Sequence, residues 1–433
     1  MDTRSNLIID AGAEPADDLS MPSAVRPGSA LGPRLAGKHA GMVVFSSYPA
    51  DPRPRRAAEA LLKEGMSIDL VCEADEKLPR RERVGRFDIT RLPIRHFRGG
   101  ALSYAYQYSA FIAWSAAILA RRMLRRRYDL VYVHNMPDVL VVSALLPKLF
   151  GAKVILDQHD PMPELMMTIF GKSETNPAVR VIRRLERWSI ARADLVVTVN
   201  EACRRIFSRR SCRAEKIAVV MNCPDETIFP YRAAGSYSLP APEAPFIMMY
   251  HGSLVERNGL ELAVDALSHL VKGIPNSELR VYGRSTPYLE QVMQKAATLG
   301  LERHVHFLGP RKLEQLPHEI GQCDVGVIPN QRNTFTEINT PTRIFEYLAM
   351  GKPVIAPNTS GIRDYFGAES LFFFEPGDAR DLARAMELVA LHATETREVA
   401  KRGQEVYLNH TWQNEKESLV SLVAELVGHR ASN

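Results

Sequence analysis

The sequence predicts an α/β protein built from two doubly wound parallel sheets that face one another across a cleft. Three observations predict it. Short apolar runs of strand length alternate with helical segments through most of the chain, as strands buried on both faces require. The alternation occurs twice, on either side of a stretch over 231–245 whose Pro, Gly and Ser content reads as a linker. A length of 433 residues is enough for two or three domains, each with its own core.

The elements follow in order. Residues 1–40 are rich in Ala, Pro, Gly, Ser and Asp, lack the apolar stretch of a secretory signal, and are expected to form a disordered leader. The first domain is expected over 41–230. It opens with a strand at 41–47, a loop at 48–54, a helix at 55–64 and a strand at 67–72. Further strands are expected at 129–133, 153–156 and 194–199. The second domain is expected over 246–406, with strands at 246–250, 278–282, 305–308, 325–328 and 353–356 and helices at 378–392 and 394–406. An amphipathic segment near 413–430 follows, within a last unit over 407–433.

Composition narrows the function. The hydrophobic fraction of 45% and charged fraction of 24% are those of a globular protein. A net charge of +5, carried mostly by Arg clusters, points to phosphates or anionic surfaces and not to a nucleic-acid partner. Five cysteines (Cys72, Cys203, Cys212, Cys223, Cys323) in no Cys-x-x-Cys spacing argue against a disulfide framework or a zinc site, and suit a reducing cytoplasm. The most apolar run, 110–120, is eleven residues long, whereas a membrane span needs about 20.

Residues 337–357 carry the most chemistry. Asn339-Thr340-Pro341 reads as a helix start, with a polar cap and Pro in the first turn. Ile344, Phe345, Leu348 and Ala349 give the helix an apolar face, Gly351 ends it, and Pro353 to Ala356 enters a buried strand. Open N–H groups at such a start attract an anion, and Glu346 lies two turns further in. That pairing suits a sugar nucleotide, with diphosphate on the helix start and hydroxyls on the acid. Ligands of such sheets bind at the carboxyl ends of the strands, so the interdomain cleft is the expected site.

Four stretches occur in an order that resembles the family 4 (group 1) glycosyltransferases of the GT-B fold. They are Val133-His-Asn-Met-Pro-Asp138, Leu156-Asp-Gln-His-Asp-Pro-Met-Pro-Glu164, Tyr250-His-Gly-Ser-Leu-Val-Glu-Arg-Asn-Gly-Leu260 and the 337–357 segment. The likeness covers roughly 41–430, and the wording is most similar to bacterial enzymes of exopolysaccharide and O-antigen assembly. It implies two Rossmann-like domains, with the segment after about 407 returning to the first. It also implies transfer of a sugar, with retention, from a nucleoside diphosphate donor to a glycan or polyprenyl-diphosphate-linked acceptor.

The resemblance assigns roles by position. Glu346 matches the second glutamate of a Glu-x7-Glu motif and would hold the donor's ribose hydroxyls. The first glutamate falls at Ile338, leaving Glu337, one place early, as its substitute if the loop is irregular. The N–H groups of Asn339, Thr340 and Thr342, with Arg343, are candidates for the diphosphate. Gly252 opens a second strand-to-helix turn, where Ser253 and Asn258 stand in place of the Arg and Lys of many relatives and Arg257 is the remaining cation. Arg284 follows a third strand. His134 matches a histidine that bonds the transferred sugar, and His159 with Asp160 ends the next strand; either histidine can orient the acceptor or take its proton. Arg53 and Arg55, with Arg56 beside them, are placed to grip an anionic acceptor. Glu164 is expected to anchor a helix.

No metal is required if Arg residues and a helix dipole neutralise the diphosphate, and no Asp-x-Asp pair ends a strand. Aromatic and basic residues over 104–127 suit peripheral contact with an anionic membrane, on the inner face of the cell membrane. Two other functions fit the same features: a sugar-nucleotide epimerase of the same fold, and a non-catalytic nucleotide-binding partner in polysaccharide assembly.

Overall fold

The computed structural model describes residues 33–94, 101–234 and 244–428. Most of the expected leader and the centre of the expected linker therefore lie outside the described residues.

The first sheet contains β1 (His39–Ser47), β2 (Ser67–Glu73), β3 (Arg81–Val84), β4 (Phe87–Leu92), β5 (Leu130–His134), β6 (Lys153–Gln158), β7 (Leu195–Thr198) and β8 (Ile217–Val219). Their spatial order is β3-β4-β2-β1-β5-β6-β7-β8, parallel except where β3 turns back on β4. The second sheet contains β9 (Phe246–His251), β10 (Ser277–Tyr282), β11 (Val305–Gly309), β12 (Val325–Val327), β13 (Val354–Pro357) and β14 (Phe372–Phe374). Its order is β11-β10-β9-β12-β13-β14, with every described pairing parallel. Two doubly wound α/β sheets are the architecture.

Four strands escape the apolar-run reading. The hairpin of β3 and β4 alternates charged and apolar residues around Gly85, at φ +59°, a turn that only the strand partner reveals. β8 and β14 are three residues each, too short for a pattern. The first domain also begins before residue 41. Leu35 is buried in the first core, Arg34 pairs with Glu417 and Glu64, and the His39 N–H donates to Asp129 at 2.9 Å. One apolar anchor is enough to order a turn whose composition looks disordered.

The apolar run 110–120 lies inside the helix Ala101–Met123. Phe111 and Leu119 face the sheet and are buried, while Tyr106 and Trp114 are exposed. Among the described residues no helix is long and apolar enough to cross a membrane. At the other end, the helix Trp412–Gly428 lies against the first domain. Its Leu419, Val420, Val423 and Val427 share a core with Leu35, Ala57, Leu61 and Leu70. Glu415 accepts from the Met221 N–H at 2.8 Å and fixes the crossing.

The helix Thr342–Ala349 sits unusually close to the second sheet because β12 carries Gly326 beneath it. A Cβ at that position would overlap the Tyr347 ring, whose hydroxyl donates to the Met249 carbonyl at 2.9 Å. Gly326→Ala is expected to destabilise the protein by about 1–3 kcal/mol, the range for overpacking a filled core. Urea unfolding followed by tryptophan-independent circular dichroism measures it, and an unchanged midpoint would refute the close-packing account.

Candidate active site in the interdomain cleft

The carboxyl ends of the two parallel sheets face a shared cleft of about 640 Å³. Its first-domain wall is formed by residues 51–53, Arg55, Arg56, His159, Asp160 and Asn222, and its second-domain wall by residues 251–253, Arg257, Phe335, residues 339–343 and Glu346.

The second-domain wall is built around two chain turns. β9 ends at His251, and Gly252 follows at φ +129°, a conformation that side chains disfavour. The missing Cβ leaves room for Arg343, whose Nη1 would lie 3.1 Å from it. Arg343 donates to the His251 carbonyl at 2.8 Å and stacks over Tyr250, with 4.7 Å to the ring centre. The helix Thr342–Ala349 begins after Pro341, which occupies the cap position and offers no side-chain bond. This corrects the expectation of a polar cap with Pro in the first turn. Thr340, the residue with a hydroxyl, spends it elsewhere: it donates to the Gly361 carbonyl at 2.7 Å and accepts from Asn200 at 3.1 Å. The N–H groups of Asn339, Thr340, Thr342 and Arg343 make no hydrogen bond to described residues, so the helix start is open toward the cleft.

Behind that start Glu346 is buried, its carboxylate 3.2 Å from His251 Nε2. Neither atom has an aligned hydrogen-bond partner among the described residues. Burial raises the Glu346 carboxyl to about 7 against the pull of Arg343. Burial, with Arg343 adding to it, pushes the His251 imidazole down to about 3. Burial thus drives both the imidazole and the acid toward their uncharged forms, and both are short of partners among the described residues.

Arg257 lies on the turn Glu256–Asn258 and approaches Phe335, 5.8 Å from the ring centre. It makes no ion pair with a described residue, so its charge is available to the cleft. The carbonyl of Ser253 accepts from Asn258 at 2.8 Å and from Tyr250 at 2.7 Å. Ser253 and Asn258 thus shape the loop.

The first-domain wall rests on Asp157, at the end of β6 and buried. Arg53 grips it with Nε at 3.1 Å and Nη2 at 2.6 Å, and the Tyr132 hydroxyl donates to it at 3.0 Å. Its carboxyl is held well below the usual range: burial alone would raise it, and Arg53, His159 and His134 together more than offset that. Arg53 also donates to the Val220 carbonyl at 2.9 Å and to Asn222 at 3.1 Å. That corrects its expected role, because a guanidinium spent on a buried acid cannot also grip an acceptor. Arg55 keeps its place on the wall. Arg56 donates to the Cys223 carbonyl and stacks over Trp412, at 5.2 Å.

His134 needs the same correction. It ends β5 as expected but is fully buried beneath the cleft floor, because its ring stacks on Tyr132 inside the sheet. On the first-domain wall the cleft histidine is His159, whose Nε2 lies 3.0 Å from His134 Nδ1. Asn135 holds the surrounding turn. It accepts from the His159 N–H at 2.8 Å and donates toward Gln158, Asp138 and the Asp160 carbonyl. Burial raises the Asp160 carboxyl despite His159 and Arg257 nearby. Glu164 is bound by Arg210, which also holds Glu186 at 2.6 Å, an anchoring role. Atoms of His134, Asp157 and His159 lie within 4.8 Å of one another, close enough to share a metal ion. The Arg53 guanidinium already supplies the positive charge against Asp157 there.

The cleft thus brings together His159, Asp160, Arg53, Arg55, Gly252, Arg257, Asn339, Thr340, Thr342, Arg343 and Glu346, with the Arg53 guanidinium committed to Asp157. Glu337 and Arg284 do not line it. Arg284 is exposed beyond β10. Glu337 is turned away: its carboxylate pairs with Arg332 at 3.0 Å and accepts from the Ser360 N–H at 2.9 Å, pinning the loop after β13. Ile338, where the family resemblance places the first glutamate, packs instead against the first domain's core, and Asn200 donates to its carbonyl at 2.8 Å. Sequence reasoning missed Asp157, His251 and Asn222. An acid inside an apolar strand and a histidine at a strand end were the available signals for the first two.

Comparison with known proteins matches residues 50–223 to the glycosyl transferase 4-like domain and residues 236–406 to the glycosyl transferases group 1 model. A D-inositol 3-phosphate glycosyltransferase of Corynebacterium urealyticum is 24% identical over 388 residues, 86% of this chain and 89% of that protein. Other matches are shorter, spanning 45% of the corresponding Corynebacterium jeikeium enzyme and 28% of a GDP-mannose-dependent mannosyltransferase of Mycolicibacterium smegmatis, so the chain spans less than half the length of these relatives. Among solved structures, sucrose-phosphate synthase from Thermosynechococcus elongatus superposes with a TM-score of 0.73 at 18% identity, over 90% of this chain and 99% of that one. Anabaena HepE in complex with UDP-glucose gives 0.66 at 17% identity, over 89% and 99%. Both halves of the fold and the cleft between them are accounted for, and the chain belongs to the family 4 (group 1) glycosyltransferases of the GT-B fold.

Proposed function

We propose that the protein transfers a sugar, with retention, from a nucleoside diphosphate sugar to a hydroxyl of a glycan or polyprenyl-diphosphate-linked acceptor in bacterial polysaccharide assembly. The observation that carries this reading is the pairing of an open helix start at 339–343 with the buried, unpartnered carboxyl of Glu346 behind it. The diphosphate sits on the N–H groups, with Arg257 and Arg343 as its cations. Ribose hydroxyls donate to Glu346. A structural relative was solved with UDP-glucose, which supports a nucleotide sugar as the ligand class. Retention rests on the family likeness.

Two arginines and a helix dipole neutralise the leaving diphosphate, so the reaction is assigned no metal. His159, Asp160 and Arg55 form the acceptor side. The exposed Tyr106 and Trp114, with Arg121 and Arg125 at the end of the same helix and just beyond it, support peripheral contact with an anionic membrane. Five free thiols suit a cytoplasmic setting. Incubation with a panel of nucleotide sugars and a polyprenyl-diphosphate-linked acceptor tests the function: glycosylated acceptor supports it, and free sugar nucleotide of altered stereochemistry would mean an epimerase.

Glu346→Gln is expected to weaken nucleoside diphosphate binding by about 10- to 100-fold, the worth of hydrogen bonds to a charged acid; isothermal calorimetry reads this directly. Binding should also depend on pH with a definite sign. Hydroxyl donors favour the ionised acid, so binding lowers a carboxyl that rests near 7 and releases a proton. Affinity then rises as pH climbs toward about 7 and levels off above it, and calorimetry in two buffers of different ionisation enthalpy counts the proton. Finally, excess EDTA should leave the transfer rate unchanged; abolished transfer, restored by a divalent cation, would refute the metal-free reading.

A further inference from the structure

Behind the helix start, one buried contact has to accommodate a proton whichever way its acid titrates. His251 closes β9, in register with Tyr282 of β10, and Arg343 donates to its carbonyl at 2.8 Å, so its backbone is fixed. Its ring meets Tyr347 edge-on, with 5.2 Å between ring centres. Its Nε2 lies 3.2 Å from Glu346 Oε2, a hydrogen-bond separation that falls short only in alignment. Both atoms are buried, and neither has another partner among the described residues. Glu346 also lines the cleft, so Oε1 is the oxygen left to meet a ligand.

Two bare lone pairs at that separation repel and two hydrogens clash, so one proton belongs between the atoms. Imidazole meets this requirement in both states of the acid. Beside a protonated carboxyl, His251 carries its hydrogen on Nδ1 and Nε2 accepts. Beside a carboxylate, the hydrogen sits on Nε2 and is donated to Oε2. Burial, with Arg343 adding to it, keeps the ring uncharged in either case. Among the described residues the charged groups facing the pair are Arg343 and, from the helix Pro52–Lys63, Arg56; both pull the acid toward ionisation. The Tyr347 hydroxyl is spent on the Met249 carbonyl at 2.9 Å.

We propose that His251 is the positioning residue of Glu346: Nε2 bonds Oε2 in both states of the acid, and a change of tautomer leaves Oε1 ionised for the ribose hydroxyls of the bound nucleotide. This rests on the cleft being the nucleotide-sugar site, and it names the partner which that site's acid requires. Glu346 passes its proton to His251 Nε2, and the Nδ1 proton leaves to solvent through the cleft that His251 lines. The ring ends as neutral as it began, and the proton released on binding comes from the pair. An apolar residue at 251 would leave Oε2 a buried charge without a donor whenever the nucleotide bound.

Calorimetric titration of UDP and GDP across pH tests this, with the tighter of the two carried through the variants. In His251→Leu, loss of a donor to the ionised acid raises the carboxyl. The rise of affinity with pH then moves up by about one unit, and affinity at neutral pH falls about tenfold. Above about pH 9, where the acid is ionised in both proteins, the two affinities converge. His251→Gln, whose amide turns to donate or accept near the Nε2 position, should keep the parent's pH dependence and an affinity within about threefold. Long-range proton–nitrogen correlation on histidine-labelled parent at about pH 6, below the acid's titration, reads the ring itself. His251, identified from its loss in His251→Gln, should change from the Nδ1–H to the Nε2–H form when the nucleotide is added. An unchanged tautomer, or a His251→Leu profile that matches the parent or is lowered equally at every pH, overturns the proposal and leaves the cleft reading in place. A His251→Gln loss as large as that of His251→Leu does the same. Where His251→Leu does not fold, the tautomer and the His251→Gln profile decide. If no nucleoside diphosphate raises the melting temperature of the parent, the cleft reading falls and this proposal with it.

Discussion

The buried ion pair between Arg53 and Asp157 is the constraint on which the first-domain wall depends. Asp157 closes β6, Arg53 begins the helix Pro52–Lys63, and the same guanidinium reaches Val220 and Asn222 beyond β8. Three segments distant in sequence are tied to one charge in a low-dielectric interior. Such a pair adds little net stability over an apolar substitute, but losing one partner strands the other at a cost of about 3–5 kcal/mol. Its value here is positional. With the carboxylate held, Tyr132, His134 and His159 all have a fixed acceptor to organise around.

The opposite wall works by leaving groups unsatisfied. Among the described residues the start of the helix Thr342–Ala349 has no side-chain cap, Arg257 has no acid partner, and Glu346 and His251 approach without an aligned hydrogen bond. Each is left unsatisfied by the protein's own described residues and is suited to a ligand with phosphate and hydroxyl oxygens. One wall is thus internally complete and rigid, the other incomplete and receptive. That division matches a site in which one domain holds the donor and the other orients groups against it.

Much of this was legible in the residues, for identifiable reasons. Central strands read clearly because both faces are buried and the runs are apolar; the charged hairpin at 81–92 and the three-residue strands did not, because pairing rather than composition defines them. Glu346, Arg343 and the helix start were found because helix boundaries follow local chemistry. Burial was not readable. His134 and Arg53 have the residue types of a cleft, yet the packing of Tyr132 and the charge of Asp157 draw them inside. Glu337 was misjudged for a similar reason: its partner Arg332 is close in sequence, but Ser360 is brought there only by the fold.

The helix Trp412–Gly428 completes the core of a domain whose other elements end near residue 219. On a ribosome, the half made first must wait for the half made second before its apolar surface is closed. The core of the first domain is therefore closed only when the last helix of the chain has been made.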